Sequence, residues 1–336
     1  MPENSPKIDP NEVRLFSGSS HRPLARAICQ HLGLKLEDTL FDRFSNDNLY
    51  IQLGASVRSR SVYIVQSLVH PVSDHLLELF MMLDIARGAG AREIHAIIPY
   101  FSYARSDKKN APRISITARL IADLLQASGA THVMTMTLHS PQVHGFFGVP
   151  TDPITARGLF LHYLHERARS TGIQFTQEDT VVVAPDYGRA GSAARFAALL
   201  KLPSISAEKI RISDTEVQIS ELILKQVEGF QRAIVYDDEI ATGGSVIRLS
   251  NLLVRGGVKE IFLICTHGLF LNHALQRLQE IPQIQEIITT DTVPIPPRKR
   301  IPQLKVLSVG PVIGEAIYRN YTRQSIGNLF DFSEDD

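Results

Sequence analysis

Residues 233–245 of the sequence read AIVYDDEIATGGS. Ile234 and Val235 are β-forming residues, and from Val246 onward apolar residues recur at helical spacing. The stretch therefore predicts a strand, a tight turn and a helix. Two adjacent carboxylates, Asp237 and Asp238, follow the apolar part of the strand, which is where open α/β sheets bind ligands.

The turn itself, TGGS at residues 242–245, is expected to bind a phosphate group. A helix N-terminus offers backbone N–H groups and a partial positive charge, and glycines let the backbone approach an anion closely. The carboxylates of Asp237 and Asp238 suit a sugar diol or Mg²⁺. Together these features predict a sugar-phosphate cradle, but the same composition also fits an ordinary helix cap after a strand.

The composition favours a cytoplasmic enzyme of two domains. The chain has 336 residues, of which 44% are hydrophobic and 21% charged, so it can bury more than one core. Its 35 basic and 35 acidic residues balance, which predicts neither a nucleic-acid partner nor a membrane surface. Any phosphate binding must therefore come from a local site.

The cysteines and the two ends of the sequence agree with that class. Cys29 and Cys265 lie far apart in apolar stretches, as expected of reduced core residues. The polar residues 1–11 resemble neither a signal peptide nor a membrane span, and they are predicted to be a disordered tail. The same is predicted for residues 331–336, which end in three acidic side chains.

Short apolar runs alternate with amphipathic helical patterns along the chain. The predicted strands are residues 13–16, 62–66, 94–99 and 133–136 in the first half, and 181–184, 233–236, 261–265 and 306–308 in the second. The clearest helix repeats apolar residues from Leu76 to Leu83, after a cap signal at Ser73 and Asp74. This pattern predicts an α/β fold of two domains, residues 12–155 and 156–330, each a mainly parallel sheet flanked by helices.

Several familiar signatures are absent from the sequence. It contains no G-x-x-x-x-G-K-[ST], no complete G-x-G-x-x-G after a strand, no H-E-x-x-H and no C-x-x-C. The first absence excludes a Walker-type kinase, and the second weakens a dinucleotide-binding interpretation. A phosphate enzyme with this sequence must use another cradle.

Five motifs in one order carry a resemblance to a known family: Phe44-Ser45-Asn46, Tyr103-Ala104-Arg105, Leu138-His139 with Gly145-Phe146-Phe147, Pro185-Asp186 and Asp237-Asp238. From about Val13 to Phe330 the chain resembles the ribose-phosphate pyrophosphokinases, or phosphoribosyl pyrophosphate synthetases. The resemblance implies two tandem type I phosphoribosyltransferase-like domains and transfer of the diphosphate of ATP to O1 of ribose 5-phosphate. It also implies Mg²⁺ and a homo-oligomer, either a dimer or a hexamer of dimeric units.

The resemblance further implies a role for each matching residue. Asp237 and Asp238 hold the ribose hydroxyls and Mg²⁺, and the 5-phosphate is bound by Ala241, Thr242, Gly243, Gly244 and Ser245. ATP is bound by Phe44, Asn46, Asp47, Asn48, Arg105, Ser106 and His139, with Phe44 stacking on adenine in a neighbouring subunit's site. His139 and Asp186 bind the magnesium near ATP, and Lys209 and Arg211 in a mobile loop stabilise the charge on the transferred diphosphate.

The residues alone leave plainer interpretations open. A single His after a strand, such as His139, is more often a hydrogen-bonded core residue, and a Phe such as Phe44 is more often core. The charged residues around Arg105 and Lys209 also fit solvated loops.

Four residues depart from the family pattern. Ala241 and Thr137 stand where many members have Asp, Ser106 replaces a Gln, and Asn48 replaces an acidic residue. We interpret these four residues as marking a divergent branch of the family. ATP is the expected donor, but the preference or affinity for nucleotides could differ from that of other members.

Two other functions compete with the synthetase. A catalytically weak regulatory subunit of the same family is disfavoured because Lys209, Arg211, His139 and Asp186 are all retained. A phosphoribosyltransferase that consumes the product would share the carboxylate and Thr-Gly cradle, but the duplicated fold and the Phe44 and Arg105 segments favour the synthetase.

Overall fold

Residues from three separate stretches of the chain form the first of two structural units. The structure, a computed structural model, describes residues 8–207, 209–211, 217–219 and 222–329, and it describes 209–211 and 217–219 through their backbone alone. The first unit holds residues 8–155, 292–294 and 308–329, and the second holds the other described residues.

The first unit contains a parallel sheet, its helices and a separate hairpin. Its elements are β1 (Val13–Ser17), α1 (Arg22–Leu32), β2 (Thr39–Arg43), β3 (Leu49–Leu53), β4 (Ser61–Val65), α2 (Val72–Gly88), β5 (Glu93–Ile98), α3 (Thr117–Ser128), β6 (His132–Met136) and β7 (Thr151–Ile154). Five strands pair in the order β1, β4, β5, β6, β7, each parallel to its neighbour, whereas β2 and β3 form an antiparallel hairpin. Every residue of β4 and β6 is buried, as expected of parallel strands covered on both faces.

The second unit contains a larger parallel sheet. Its elements are α4 (Arg157–Thr171), β8 (Thr180–Ala184), α5 (Ala190–Leu200), β9 (Ser204–Ser206), β10 (Lys209–Arg211), β11 (Val217–Ile219), α6 (Leu222–Gln226), β12 (Arg232–Ile240), α7 (Gly244–Arg255), β13 (Glu260–Gly268), α8 (Ala274–Gln279), β14 (Ile284–Thr290) and β15 (Leu304–Leu307). Six strands pair in the order β15, β14, β13, β12, β8, β9, all in parallel. β10 and β11 form a separate antiparallel pair.

The predicted α/β architecture of two mainly parallel sheets is confirmed. Each predicted strand coincides with an observed strand or overlaps it, but β2, β3, β7, β9, β10, β11 and β14 were not predicted. β7 contains Pro153, which sequence rules assign to turns or sheet edges, and it does lie at an edge of the first sheet. The helix predicted after Ser73 and Asp74 begins earlier, at Val72, with Pro71 at the N-cap position.

The end of the described chain corrects the predicted domain of residues 156–330, because residues 292–294 and 308–329 belong to the first unit. The helix α9 (Gly310–Tyr321) packs on α1 there. Two glycines allow the close approach: a Cβ on Gly310 would lie 2.7 Å from the Cβ of Ala27, and one on Gly314 would lie 2.6 Å from the His31 ring. Larger residues at these two positions would push the helices apart.

The predicted disordered tail of residues 1–11 is too long. Ile8 is buried, and the amide of Asn11 donates a 2.8 Å hydrogen bond to Oδ1 of Asp9, which forms a turn before β1. An apolar side chain followed by an Asx turn gives this segment a fixed place. Residues 1–7 and 330–336 lie outside the described part of the chain.

Helix length and the state of the cysteines are two further features of the described residues. None of the described helices is long and apolar enough to cross a membrane. Cys29 and Cys265 are both free and buried, as predicted for core cysteines.

A buried polar chain crosses the sheet of the first unit. His95 stacks on Tyr63 with ring centroids 4.2 Å apart, and its Nδ1 lies 2.9 Å from Nδ1 of His132. His132 Nε2 in turn lies 2.9 Å from a carboxylate oxygen of Asp152. Burial, aided by the neighbouring His132, lowers the pKa of His95 to about 3, so His95 is neutral in the folded protein.

We predict that His95 makes the first unit sensitive to acid. The unfolded chain binds a proton at His95 below pH about 6.5 and the folded chain does not, so the free energy of unfolding falls as the pH falls toward about 3. The slope from this group approaches about 1.4 kcal/mol per pH unit. His95→Phe keeps a ring against Tyr63 and should flatten the slope in urea unfolding curves.

The control variant is His162→Phe, which changes an exposed histidine. It should keep the wild-type slope. Equal slopes in His95→Phe and in the wild type would contradict the prediction.

Candidate functional site

The carboxylate pair lies inside a strand that is longer than predicted. β12 continues to Ile240, so Asp237 and Asp238 are strand residues rather than the first residues after a strand. β13 pairs with β12 as far as Ile240, whereas the described pairing with β8 on the other side ends at Val235. The two carboxylates therefore lie where β12 has lost one neighbour, at the carboxyl edge of the sheet.

A guanidinium compensates the charge of this pair. Arg189 Nε lies 3.2 Å from Oδ1 of Asp238 and 4.0 Å from Oδ1 of Asp237. The side chains of Arg189, Asp237 and Asp238 are only 14%, 14% and 6% exposed, so water screens their charges weakly. Burial and the charge of Asp238 raise the pKa of Asp237 well above its usual value, and Arg189 opposes that shift.

The backbone fixes the orientation of Asp237. The amide of Asp238 donates a 2.8 Å hydrogen bond to Oδ1 of Asp237, so one carboxylate is held against its own strand. A backbone donor and the Arg189 guanidinium therefore both hold the pair in place.

The predicted turn and helix after the strand are confirmed. α7 begins at Gly244, and Gly243 precedes it in a left-handed conformation with φ of 73°. Thr242 is exposed, and Gly244 and Ser245 are partly exposed. Since the first turn of a helix has N–H groups without intrahelical acceptors, this turn presents donors at an accessible surface.

The loop after β13 holds that turn in place through backbone hydrogen bonds. The amides of Leu269 and Phe270 donate to the carbonyl oxygen of Ile240 at 3.0 and 3.1 Å, and the amide of Leu271 donates to the carbonyl oxygen of Ala241 at 2.8 Å. A Cβ on Gly243 would lie 3.4 Å from the Cβ of Ala274, the first residue of α8. These hydrogen bonds and the close approach to α8 therefore fix the backbone of the turn.

Asp186 lies at the same edge of the sheet, directly after β8. It is half-buried and extended, and a short 3₁₀ turn, Tyr187–Arg189, joins it to α5. Sequence reasoning selected Asp186 but missed Arg189 in this turn. A basic residue three positions after a proposed ligand was the only local signal, because the partner Asp238 is far along the chain.

In the first unit, Arg105, Ser106 and His139 share one edge of the sheet. Arg105 ends a 3₁₀ turn, Ser102–Arg105, after β5, and His139 follows β6, the parallel neighbour of β5. Arg105 is exposed, and Ser106 and His139 are half-buried. The chain turns out of β6 at Thr137, whose φ of 41° is rare for a β-branched residue.

Phe44 is not a core residue. It begins the turn of the β2 and β3 hairpin, is 58% exposed and meets Tyr50 edge to face at a centroid distance of 5.6 Å. Its amide and carbonyl bond to Asn48 and Asp47 at 2.9 and 2.8 Å, and Asp47 has φ of 68°. The turn, which also contains Asn46, thus presents one aromatic ring to solvent.

The structure assigns the predicted site residues to different parts of the chain. Asp186, the carboxylate pair and residues 241–245 lie in the second unit, whereas Arg105, Ser106, His139 and the hairpin lie in the first. Lys209 and Arg211 begin and end β10, and their side chains lie outside the described part. Among the described residues, no group of three or more His, Cys, Asp or Glu side chains is placed to hold a metal ion.

Comparisons with known proteins agree with this geometry. Residues 13–129 match the N-terminal domain of ribose phosphate pyrophosphokinase, and residues 222–331 match the phosphoribosyl synthetase-associated domain. A solved structure, phosphoribosylpyrophosphate synthetase from Mycobacterium smegmatis, superposes with a TM-score of 0.84 at 34% identity. The match covers 93% of this chain and 99% of that one.

Curated relatives span the same length. A protein of Streptomyces coelicolor is 47% identical over 95% of this chain and 98% of its own length. The ribose-phosphate pyrophosphokinases of Caldanaerobacter subterraneus and Deinococcus radiodurans are 39% and 40% identical, over 95% and 94% of this chain and 98% and 97% of theirs. The fold and these relatives agree, and the chain belongs to the ribose-phosphate pyrophosphokinase family.

Proposed function

We propose that the chain is a ribose-phosphate diphosphokinase, which transfers the β,γ-diphosphate of ATP to O1 of ribose 5-phosphate and releases AMP. The observation that carries this proposal is the second unit's proposed cradle: the buried carboxylate of Asp238, the partly buried one of Asp237 and a helix N-terminal turn, all in one strand-turn-helix unit. The relatives named ribose-phosphate pyrophosphokinase extend over almost the whole chain, which supports the same activity.

The two parts of the proposed cradle bind opposite ends of the sugar phosphate. Asp237 and Asp238 accept hydrogen bonds from the ribose hydroxyls, since ionised carboxylates are acceptors only. Ala241, Thr242, Gly243, Gly244 and Ser245 surround the 5-phosphate with backbone N–H groups and hydroxyls at the positive end of α7. This arrangement fixes O1 for attack on ATP, and such positioning supplies much of the rate enhancement in phosphoryl-type transfers.

ATP is bound by the first unit. Arg105 and Ser106 follow β5, and the Arg105 guanidinium suits a phosphate oxygen because it can donate two parallel hydrogen bonds. By the family resemblance, His139 in the first unit and Asp186 in the second would each offer a donor to Mg²⁺ that arrives with the nucleotide. Mg²⁺ prefers oxygen ligands and normally takes only one or two from protein, completing its shell with phosphate oxygens and water, so the Asp186 carboxylate suits this ion. Bound Mg²⁺ would neutralise charge on the diphosphate.

The exposed hairpin turn implies a second copy of the chain. Phe44 stacks on adenine in the partner's site, and Asn46, Asp47 and Asn48 line the same turn. A ring that is 58% exposed on a short hairpin is well suited to contact a neighbour. We therefore propose a homo-oligomer in which each site takes its adenine platform from another subunit.

Lys209 and Arg211 are the proposed catalytic residues. They belong to the β10 and β11 segment and stabilise the charge that develops on the transferred diphosphate.

Two free and buried cysteines, in a chain without a membrane-crossing helix among those described, support a cytoplasmic location.

The activity is tested by ³¹P NMR of purified protein with ATP, ribose 5-phosphate and Mg²⁺. We expect AMP and an anomeric diphosphate to form, and Lys209→Ala should lower kcat by about 10²-fold or more with little change in ATP binding. Lys225→Ala, on the exposed side of α6, is the matched control. Equal turnover in Lys209→Ala and the wild type would remove Lys209 from the mechanism, and no product from the wild type would favour the regulatory-subunit alternative.

Gly243→Ala tests the phosphate turn. A φ of 73° costs an L residue about 1–2 kcal/mol, and relieving it would rotate the N–H groups of the turn. We expect a lower melting temperature and about tenfold weaker ribose 5-phosphate binding in calorimetry. Gly158→Ala in α4, where a Cβ meets nothing within 4 Å, should leave ribose 5-phosphate binding unchanged and should not lower the melting temperature, since Ala favours a helix over Gly. Unchanged sugar-phosphate binding in Gly243→Ala would show that the turn is not the phosphate site.

Phe44→Ala tests the adenine platform. Stacking of an aromatic ring on a base contributes about 1–3 kcal/mol, so KM for ATP should rise about tenfold or more. The melting temperature should not change, because the ring is exposed. Leu40→Ala removes another exposed apolar side chain from the same hairpin and should leave KM unchanged.

Mixing the two impaired variants tests whether sites are shared between subunits. A mixed oligomer of Phe44→Ala and Lys209→Ala chains contains sites with an intact lysine from one chain and an intact phenylalanine from the other. At an ATP concentration below the raised KM, activity should therefore increase after subunit exchange. If the mixture is only as active as the average of its components, each site is built from one chain.

A further inference from the structure

The cation beside the carboxylate pair is not explained by any role assigned so far. Arg189 lies in the turn between β8 and α5, and its Nε faces Oδ1 of both Asp237 and Asp238. We propose that Arg189 is a positioning residue for the sugar: it is the built-in counter-ion of the pair and lets this chain bind the ribose diol without a divalent cation on those carboxylates. This inference rests on the proposed function and deepens it.

The guanidinium lies beside one oxygen of each carboxylate, in a position that competes with a metal ion for those two oxygens. Its Nε is 3.2 Å from Asp238 Oδ1, within charge-assisted hydrogen-bond reach, and 4.0 Å from Asp237 Oδ1. A Mg²⁺ ion bound to those same oxygens at about 2.1 Å would lie within a few ångströms of a permanent cation. Because all three side chains are at most 14% exposed, water would screen this repulsion weakly.

Charge balance leads to the same conclusion. The pair carries two negative charges when ionised, and buried charges need a partner. Arg189 supplies one positive charge, and an ionised carboxylate can accept hydrogen bonds from sugar hydroxyls in addition to an ion pair. Lys and Gln are informative replacements, since Lys keeps the charge without the planar fork and Gln keeps much of the length without the charge.

The position of Arg189 also links the sugar site to Asp186. Both residues belong to one short segment after β8, and Arg189 is the residue before α5 begins. A Cβ on Gly188 would lie 3.3 Å from Asp186 Oδ1, so the segment between them is tightly folded. Arg189 is therefore held in place by the same turn that presents the proposed magnesium ligand.

The test is calorimetric binding of ribose 5-phosphate to the full-length protein, once in EDTA and once in Mg²⁺, with no ATP present. We expect the wild type to bind in EDTA within about threefold of its affinity in Mg²⁺, and Arg189→Gln to lose at least about tenfold in EDTA. Arg189→Lys should recover part of the loss. Arg195→Gln, which removes an exposed arginine from α5, should bind as the wild type does.

A double variant separates a counter-ion from a packing contact. If Arg189 acts through its charge, Arg189→Gln should lower the melting temperature, and adding Asp237→Asn should restore it by removing the uncompensated charge. A residue that only fills space would show no such recovery. Absence of recovery in the double variant would overturn the counter-ion role.

The outcomes distinguish this inference from the proposed function. Wild-type binding that disappears in EDTA and returns with Mg²⁺ would overturn the inference and leave the diphosphokinase proposal intact. The absence of binding under both conditions would overturn both. Binding in EDTA that is equal in the wild type and in Arg189→Gln would show that the carboxylate pair needs no counter-ion from Arg189, and it would also reject the inference.

Discussion

The ion pair between Arg189 and the adjacent carboxylates of Asp237 and Asp238 organises the carboxyl edge of the second sheet. Asp237 and Asp238 are tolerable in β12 because Arg189 compensates them from one side and a backbone amide holds Asp237 from another. The same strand must then turn at once into α7, so the loop after β13 donates three backbone hydrogen bonds to Ile240 and Ala241. Charge, turn and helix are thus fixed by segments that are separate in sequence.

Local signals in the sequence were enough to predict the strand, the turn and the helix that form the proposed cradle. The β-forming residues, the Thr-Gly-Gly-Ser turn and the helical spacing after it act over a few residues, and the structure follows them. The length of β12 could not be predicted in this way, because its last residues are held by pairing with β13. The hairpin that carries Phe44 was missed for a related reason, since its two short strands have little alternation and, among the described strands, pair with each other alone.

Other features depend on partners that the sequence does not announce. Arg189 looks like an ordinary basic residue until the fold brings it to Asp238. Gly310 and Gly314 look like helix-weakening residues until α9 meets α1, where the absence of side chains is what permits contact. The roles of Asn46 and Ser106 come from the family resemblance, and the structure adds their positions, one in the hairpin turn and one after β5.

The return of α9 to the first unit has a consequence for how this chain can be divided. A fragment cut after Thr155 would leave the surface of α1 at Ala27 and His31 bare and the Tyr63 hydroxyl without the Asn320 side-chain oxygen that accepts its hydrogen bond at 2.8 Å. The amide of Asp9, moreover, donates to the hydroxyl of Tyr321 at 3.3 Å, so the start of the described chain touches its last long helix. The first unit is therefore assembled from both ends of the described chain, although by sequence it looks like a continuous N-terminal domain. Its connectivity favours circular permutation over truncation as a way to isolate it.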